Sequence, residues 1–122
     1  MKVLIVDDSS FVRQYLSYLL ETMGISTVEA ADGGAALQAL NSEHSFDLML
    51  VDINMPVMNG LDCVKTLRSA RLQPDMKVMM VTTEMDSTLI SQALSNGADE
   101  FLMKPFTPEG LREKIMLLGL AA

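Results

Sequence analysis

Four short apolar runs, separated by helix-length segments, organise the hydrophobic pattern of this chain. They read VLIV, LMLV, VMMV and FLM and cover residues 3–6, 48–51, 78–81 and 101–103. Short Val-rich runs of this kind are typical of strands buried in a parallel sheet. Polar residues follow each run directly: Asp7 and Asp8, Asp52, Thr82, and Lys104. The pattern therefore predicts a parallel sheet with polar chemistry at the ends of four strands.

The segments between the runs have the three-to-four spacing of amphipathic helices. After the first strand this spacing links Phe11, Val12, Tyr15, Leu16, Leu19, Leu20 and Met23. Ser9 or Ser10 would cap this helix, and Gly24 would end it. A strand at 26–29 and helices near 34–40, 61–70, 89–96 and from Thr107 or Pro108 complete five strand-then-helix units. Such alternation predicts an α/β, doubly wound, five-stranded parallel sheet with helices on both faces.

Length and composition limit the possible classes of protein. A chain of 122 residues, 49% hydrophobic and 20% charged, fits one globular domain over 1–122. No apolar stretch approaches the about 20 residues that cross a bilayer, so we expect a cytoplasmic protein. The single cysteine excludes an internal disulfide and a cysteine zinc cluster. The net charge of -7 argues against nucleic acid and favours proteins or cations as partners.

The strand ends predict a site for a phosphoryl group. In an open parallel sheet the ligand crevice lies at the carboxyl ends of the strands. Clustered carboxylates without His or Cys favour Mg²⁺, while an ammonium and a hydroxyl can bind further oxygens. Asp52 stands alone after a central strand and is the best candidate nucleophile for an aspartyl phosphate. Taken singly, an Asp after a strand is usually a turn or helix-cap residue, and Thr82 or Lys104 alone is a weaker signal still. Their joint occurrence favours function.

Longer segments around these residues resemble a known family. VLIVDDSSFVR, VDINMPVMNGLD, VMMVTTE and FLMKPF are similar to motifs of the response regulator receiver domains of two-component signalling, of the single-domain CheY-like type. The resemblance runs from Val3 to about Leu118 with the motifs in the family's order and spacing. It implies the flavodoxin-like strand order 2-1-3-4-5. It also implies a phosphoacceptor regulator, and not an enzyme, in which Asp52 receives a phosphoryl group from a sensor histidine kinase.

The resemblance also implies individual roles. Asp7 and Asp8 would organise Mg²⁺, with Asp8, Asp52 and the backbone carbonyl of Asn54 as direct ligands. Lys104 would pair with the phosphoryl group, and the Lys104–Pro105 peptide would be cis. Thr82 and Phe101 would form the switch pair, although many similar chemotaxis receivers have Tyr in place of Phe101. We further expect Asn54 and Glu84, two residues past Asp52 and Thr82, to tune the lifetime of the phosphoryl group.

The family's output surface implies a protein partner. This surface is the face of helix four, strand five and helix five, and candidate residues on it are Met85, Ile90, Phe101, Met103 and Lys114. The expected partners are a sensor histidine kinase or phosphotransfer protein and a downstream protein target. The sequence leaves the pathway open among flagellar chemotaxis, a phosphorelay shuttle and pilus or other motility.

Two alternatives come from other classes of protein. A dehalogenase-type phosphatase also uses an Asp nucleophile and Mg²⁺, but its Asp-x-Asp-x-Thr run and cap insertion do not match Asp7-Asp8-Ser9-Ser10. A phosphorylation-independent interaction module would need none of the site residues. The presence of all of them argues against that module. A Mg²⁺ titration would distinguish the module from a receiver that takes a phosphoryl group.

Overall fold

The computed structural model describes residues 1–55, 57–83 and 86–120, and they form alternating strands and helices. The strands are β1 (Lys2–Val6), β2 (Ser26–Ala30), β3 (Leu48–Asp52), β4 (Lys77–Thr82) and β5 (Glu100–Met103). The helices are α1 (Ser10–Thr22), α2 (Gly33–Leu40), α3 (Gly60–Ser69), α4 (Ser87–Asn96) and α5 (Pro108–Leu117). The predicted five strand-then-helix units are confirmed. β5 ends at Met103, so Lys104 directly follows the strand, as the apolar run at 101–103 predicts.

All neighbouring strands are parallel, in the order β2-β1-β3-β4-β5. Val6 pairs with Val51, Asp52 with Val81, and Thr82 with Met103. This register aligns the carboxyl ends of four neighbouring strands at one edge of the sheet. The predicted doubly wound fold and its strand order are confirmed.

A polar cap places the start of each helix. Ser9 caps α1 by accepting from the backbone N–H of Val12, and Asn59 caps α3 by accepting from that of Asp62. Asp32, Asp86 and Thr107 do the same for α2, α4 and α5. These side chains satisfy backbone donors that have no partner within the helix. Of the two serines that the sequence offered for α1, Ser9 is the cap.

Two apolar layers cover the faces of the sheet. Residues of α1 and α5, such as Leu20 and Leu111, pack with Met79 of β4 on one face. Residues of α2, α3 and α4 pack with Met80 of β4 on the other. Adjacent strand residues point to opposite faces, so a strand buried on both sides must be apolar throughout. This explains why β1, β3 and β4 are continuous apolar runs.

The aromatic residues of α1 are more exposed than the helical spacing predicts. Leu16, Leu19 and Leu20 are buried, but Phe11 is 77% and Tyr15 39% exposed. The ring of Tyr15 stacks on Phe106, with centroids 5.8 Å apart. The spacing identified the helix correctly and overestimated the width of its buried face.

Within the described part of the chain, no helix combines the length and apolar character required to cross a membrane.

Candidate functional site

Three carboxylates meet at the carboxyl ends of β1 and β3. Asp7 and Asp8 directly follow β1, and Asp52 is the last residue of β3. Each offers one carboxylate oxygen, and these oxygens all lie within 4.8 Å of one another. Asp7 and Asp52 are buried, whereas Asp8 is exposed. The cluster therefore has two inner carboxylates and one at its solvent side.

Asp7 is held by hydrogen bonds on its backbone and on both carboxylate oxygens. Its N–H donates to the carbonyl of Ala30 over 3.2 Å. The N–H of Ser9 donates to Oδ1 over 2.8 Å, and Lys104 Nζ donates to Oδ2 over 3.1 Å. The side chain is 2% exposed. These hydrogen bonds fix the position of the Asp7 carboxylate within the cluster.

Asp52 is buried but keeps one side open to the cluster. The N–H of Asn54 donates to Oδ1 over 3.3 Å, and Lys104 Nζ lies 3.6 Å from Oδ2. Burial raises the pKa of Asp52; the charge of Lys104 opposes this and the charge of Asp7 adds to it. One ammonium is therefore shared by two carboxylates, and the site carries an excess of negative charge.

The loop after β3 folds back tightly onto Asp52. The N–H of Gly60 donates to the carbonyl of Ile53 over 2.8 Å, and a Cβ at Gly60 would overlap the backbone carbonyl of Asp52. Only glycine permits this approach. Between them Val57 adopts a positive φ of 69° with its side chain fully exposed. Met58 packs against Gly33, at the start of α2.

Lys104 and Thr82 complete the site from β5 and β4. The backbone N–H of Lys104 donates to the carbonyl of Thr82 over 2.8 Å, and the Lys104–Pro105 peptide is cis, as expected. Thr82 is fully buried. The structure thus brings Thr82 and Lys104 together with the three carboxylates at one edge of the sheet.

The residues assigned to the switch and the output surface differ in their exposure. Phe101 is 8% exposed and belongs to the apolar layer against which Ile90 packs. The ring of Phe101 is therefore largely buried in that layer, and its expected place on the output surface stays a prediction. Met103 is exposed, and Lys114 pairs with Glu100 over 3.1 Å. Glu84 and Met85 lie outside the described residues.

Sequence reasoning missed Arg13, which contacts the acidic loop from α1. Its Nη1 donates to the backbone carbonyl of Asp7 over 2.7 Å, and its Nε pairs with Glu29 over 3.2 Å. The available signal was that Arg13 is the one basic residue in the sequence of α1. The apolar spacing of the helix carried no information about that contact.

The acidic cluster fits Mg²⁺. Its members are all carboxylates, and among the described residues neither His nor Cys joins them. Hard oxygen ligands suit Mg²⁺, which also retains waters and accepts phosphate oxygens. The exposed Asp8 lies where an ion could enter from solvent.

Comparison with known proteins agrees with this fold and site. The family model of the response regulator receiver domain matches residues 3–116. A "Chemotaxis protein CheY homolog" of Campylobacter jejuni is 40% identical over 94% of this chain and 89% of its own length. The chemotaxis protein CheY of Pseudomonas aeruginosa is 40% identical, over 94% and 93% of the two chains. The solved structure of the chemotaxis response regulator CheY4 of Vibrio cholerae is 37% identical, with a TM-score of 0.89 and coverage of 96% and 97%.

The fold is that of a doubly wound α/β protein, with a cluster of three carboxylates at the carboxyl ends of its strands that could hold a metal ion. The chain belongs to the response regulator receiver domains, the regulatory modules of two-component signalling. Receiver domains bind Mg²⁺ through an acidic cluster, and CheY-like receivers interact with histidine kinases and downstream targets. They are regulators and not enzymes in the ordinary sense.

Proposed function

We propose that this protein is a phosphorylation-activated switch in which Asp52 accepts a phosphoryl group from a phosphohistidine of a sensor histidine kinase or phosphotransfer protein. The observation that carries the proposal is the position of Asp52, whose buried carboxylate faces two further carboxylates and the ammonium of Lys104. The relatives that this chain resembles are chemotaxis proteins, which favours a role in chemotaxis or motility.

In the proposed reaction an Asp52 carboxylate oxygen forms a bond to phosphorus as the bond from phosphorus to the histidine nitrogen breaks. The imidazole leaves with the bonding electron pair. The attacking carboxylate must be ionised, and the Lys104 ammonium and the Asn54 N–H both favour that form. Asp8, Asp52 and the carbonyl of Asn54 would hold Mg²⁺, which supplies the positive charge that lets two anions approach.

After transfer, Lys104 and Thr82 would bind the phosphoryl oxygens. Lys104 is already within 3.6 Å of Asp52, and Thr82 lies at the adjoining strand end. A phosphoryl group can shift the protein between two states only by interacting more strongly with one of them. Thr82 and Phe101 form the proposed switch pair. Thr82 is the last residue of β4, and Phe101 lies in the neighbouring strand β5. Asn54 and Glu84 would tune the lifetime of the phosphoryl group.

The proposed output surface is a groove between α4, β5 and α5. Its volume is about 440 Å³, and its lining includes Ile90, Phe101, Met103, Lys114 and Leu117. Lys114 and Glu100, which form an ion pair over 3.1 Å, both line it. A downstream protein target would bind there when the phosphoryl group has shifted Thr82 and Phe101.

Intact mass after incubation with acetyl phosphate and Mg²⁺ tests the proposal. We expect the wild type to gain one phosphoryl mass only when Mg²⁺ is present. Asp52→Asn should gain none, whereas Asp75→Asn, which makes the same change at an exposed position before β4, should behave as the wild type. Because aspartyl phosphates hydrolyse, binding of beryllofluoride is measured in parallel. If the wild type takes up neither, the protein is a phosphorylation-independent interaction module.

A further inference from the structure

The side chain of Arg13 joins three parts of the molecule that the proposed reaction does not otherwise connect. It extends from α1, is 16% exposed, and donates through Nη1 to the backbone carbonyl of Asp7 over 2.7 Å. Its Nε pairs with Glu29 of β2 over 3.2 Å. β2 contributes none of the proposed site residues, so this ion pair links the edge of the sheet to the acidic loop.

The carbonyl that Arg13 contacts belongs to the peptide bond between Asp7 and Asp8. A peptide unit is planar, so fixing its carbonyl also fixes the N–H and the Cα of the next residue. The N–H and the carboxylate of Asp7 are held by Ala30, Ser9 and Lys104. Arg13 adds the contact on the side that leads to Asp8, whose own side chain is exposed.

Arginine suits this position better than lysine. Its planar guanidinium presents several donors in a fixed geometry, so it can contact a carbonyl and a carboxylate at once. Lysine has one flexible ammonium and no such fork. Glu29 fixes the orientation of the guanidinium, and the guanidinium in turn fixes the peptide.

We propose that Arg13 is a positioning residue of the cation site, which holds the Asp7–Asp8 peptide so that the Asp8 carboxylate meets those of Asp7 and Asp52. The inference rests on the proposed function, because it assigns Arg13 to the Mg²⁺ site of that function. Mutation of a residue that holds a metal ligand in place commonly weakens metal affinity by a factor of about 10 to 100.

Whether replacement of Arg13 weakens or strengthens Mg²⁺ binding distinguishes a positioning role from a purely electrostatic one. Arg13 is a cation beside a cation site, so loss of its charge alone would strengthen Mg²⁺ binding. Loss of a positioning contact would weaken it. A residue that only stabilises the fold would leave the affinity of the folded protein unchanged.

The experiment is calorimetric titration of the unphosphorylated full chain with Mg²⁺. We expect Arg13→Met to weaken binding by about tenfold. Arg13→Lys, which keeps the charge and the fold but cannot contact both partners, should weaken it severalfold. Arg68→Met is the matched control. Arg68 donates to the carbonyls of Gly97 and Met76 and pairs with Asp99, near the amino ends of β4 and β5 and away from the acidic cluster. Its Mg²⁺ affinity should stay within about a factor of two of the wild type, whatever its melting temperature.

Unchanged or tighter binding in both Arg13 variants would overturn the inference, as would equal weakening in Arg68→Met. These results would leave the proposed function intact, provided that the wild type binds Mg²⁺ and takes up a phosphoryl group. A wild type that binds no Mg²⁺ would overturn both.

Discussion

The carboxylate of Asp52 is almost completely removed from solvent and lies beside two others. Burial raises the pKa of Asp52 above its ordinary value, in spite of Lys104. The folded protein therefore holds this proton more tightly than the unfolded chain does. The resulting stabilisation is complete below the unfolded pKa and is lost as the pH rises through the folded pKa. At neutral pH the ionised carboxylate thus opposes folding.

Asp52→Asn should accordingly raise the free energy of unfolding at pH 7 in the absence of Mg²⁺. The gain over the wild type should shrink as the pH falls into the ordinary titration range of aspartate, because the wild-type carboxyl then becomes neutral. Urea denaturation at several pH values measures the difference. Asp75→Asn, at an exposed position, should show no comparable gain. A gain that is independent of pH would contradict this account.

Val57 is a residue in an unfavourable backbone conformation. A positive φ of 69° places its branched Cβ against the backbone, and the exposed side chain recovers no packing energy. Asparagine tolerates this conformation far better. We expect Val57→Asn to raise the free energy of unfolding by about 1 kcal/mol, measured by urea denaturation. Thr83→Asn is the control, since Thr83 is also β-branched and exposed but has no positive φ; equal changes in both variants would refute the explanation.

At the scale of the elements, the sequence predicted best those strands that are buried on both sides. β1, β3 and β4 are continuous apolar runs because both faces of the sheet are covered. β2 has the sequence STVEA and lies at an edge of the sheet, so its hydropathy marks it less clearly than a continuous apolar run marks β1. The helical spacing includes Phe11 and Tyr15 although both are exposed, because spacing gives the direction of a helix face but not its width.

The strand ends also explain which site residues the sequence could predict. Asp7, Asp52 and Lys104 follow apolar runs, so the parallel topology alone brings them together. Arg13 reaches the site through the length and direction of its side chain, which no hydrophobic pattern encodes. Val57 has its positive φ within the loop that the hydrogen bond from Gly60 to Ile53 closes, and local sequence propensity does not predict that φ.

The N-cap of α3 sets the end of the loop that follows Asp52. The side chain of Asn59 accepts from the N–H of Asp62 over 2.9 Å. Asn59→Ala should lower the free energy of unfolding by about 1 kcal/mol, because a backbone donor loses its partner. Asn41→Ala, at the exposed C-terminal end of α2, should cost less. Thermal or urea denaturation compares the two variants. An equal loss of stability in both would show that the lost cap does not explain the effect of Asn59→Ala.

At the scale of the whole molecule, Mg²⁺ binding should couple to stability. The folded state gathers three carboxylates that the unfolded chain separates, in a protein of net charge -7. A ligand that binds only the folded state stabilises it by about 2.7 kcal/mol at about 100 times its Kd. We therefore expect Mg²⁺ to raise the melting temperature of the wild type more than KCl of equal ionic strength does. Asp8→Asn, at an exposed position, should remove most of this difference; a persisting difference would place the ion elsewhere.

The contact between Lys104 and Asp7 joins residues that are 97 positions apart in the chain. During synthesis, β1 leaves the ribosome long before β5 can dock beside β4, so a growing chain has the aspartates without their lysine. Because translation adds only about 5 to 20 residues per second, this interval lasts for seconds. If Lys104 binds the phosphoryl group as proposed, a nascent chain would lack this function until β5 has docked, and the capacity to receive a signal would report that the chain has finished folding.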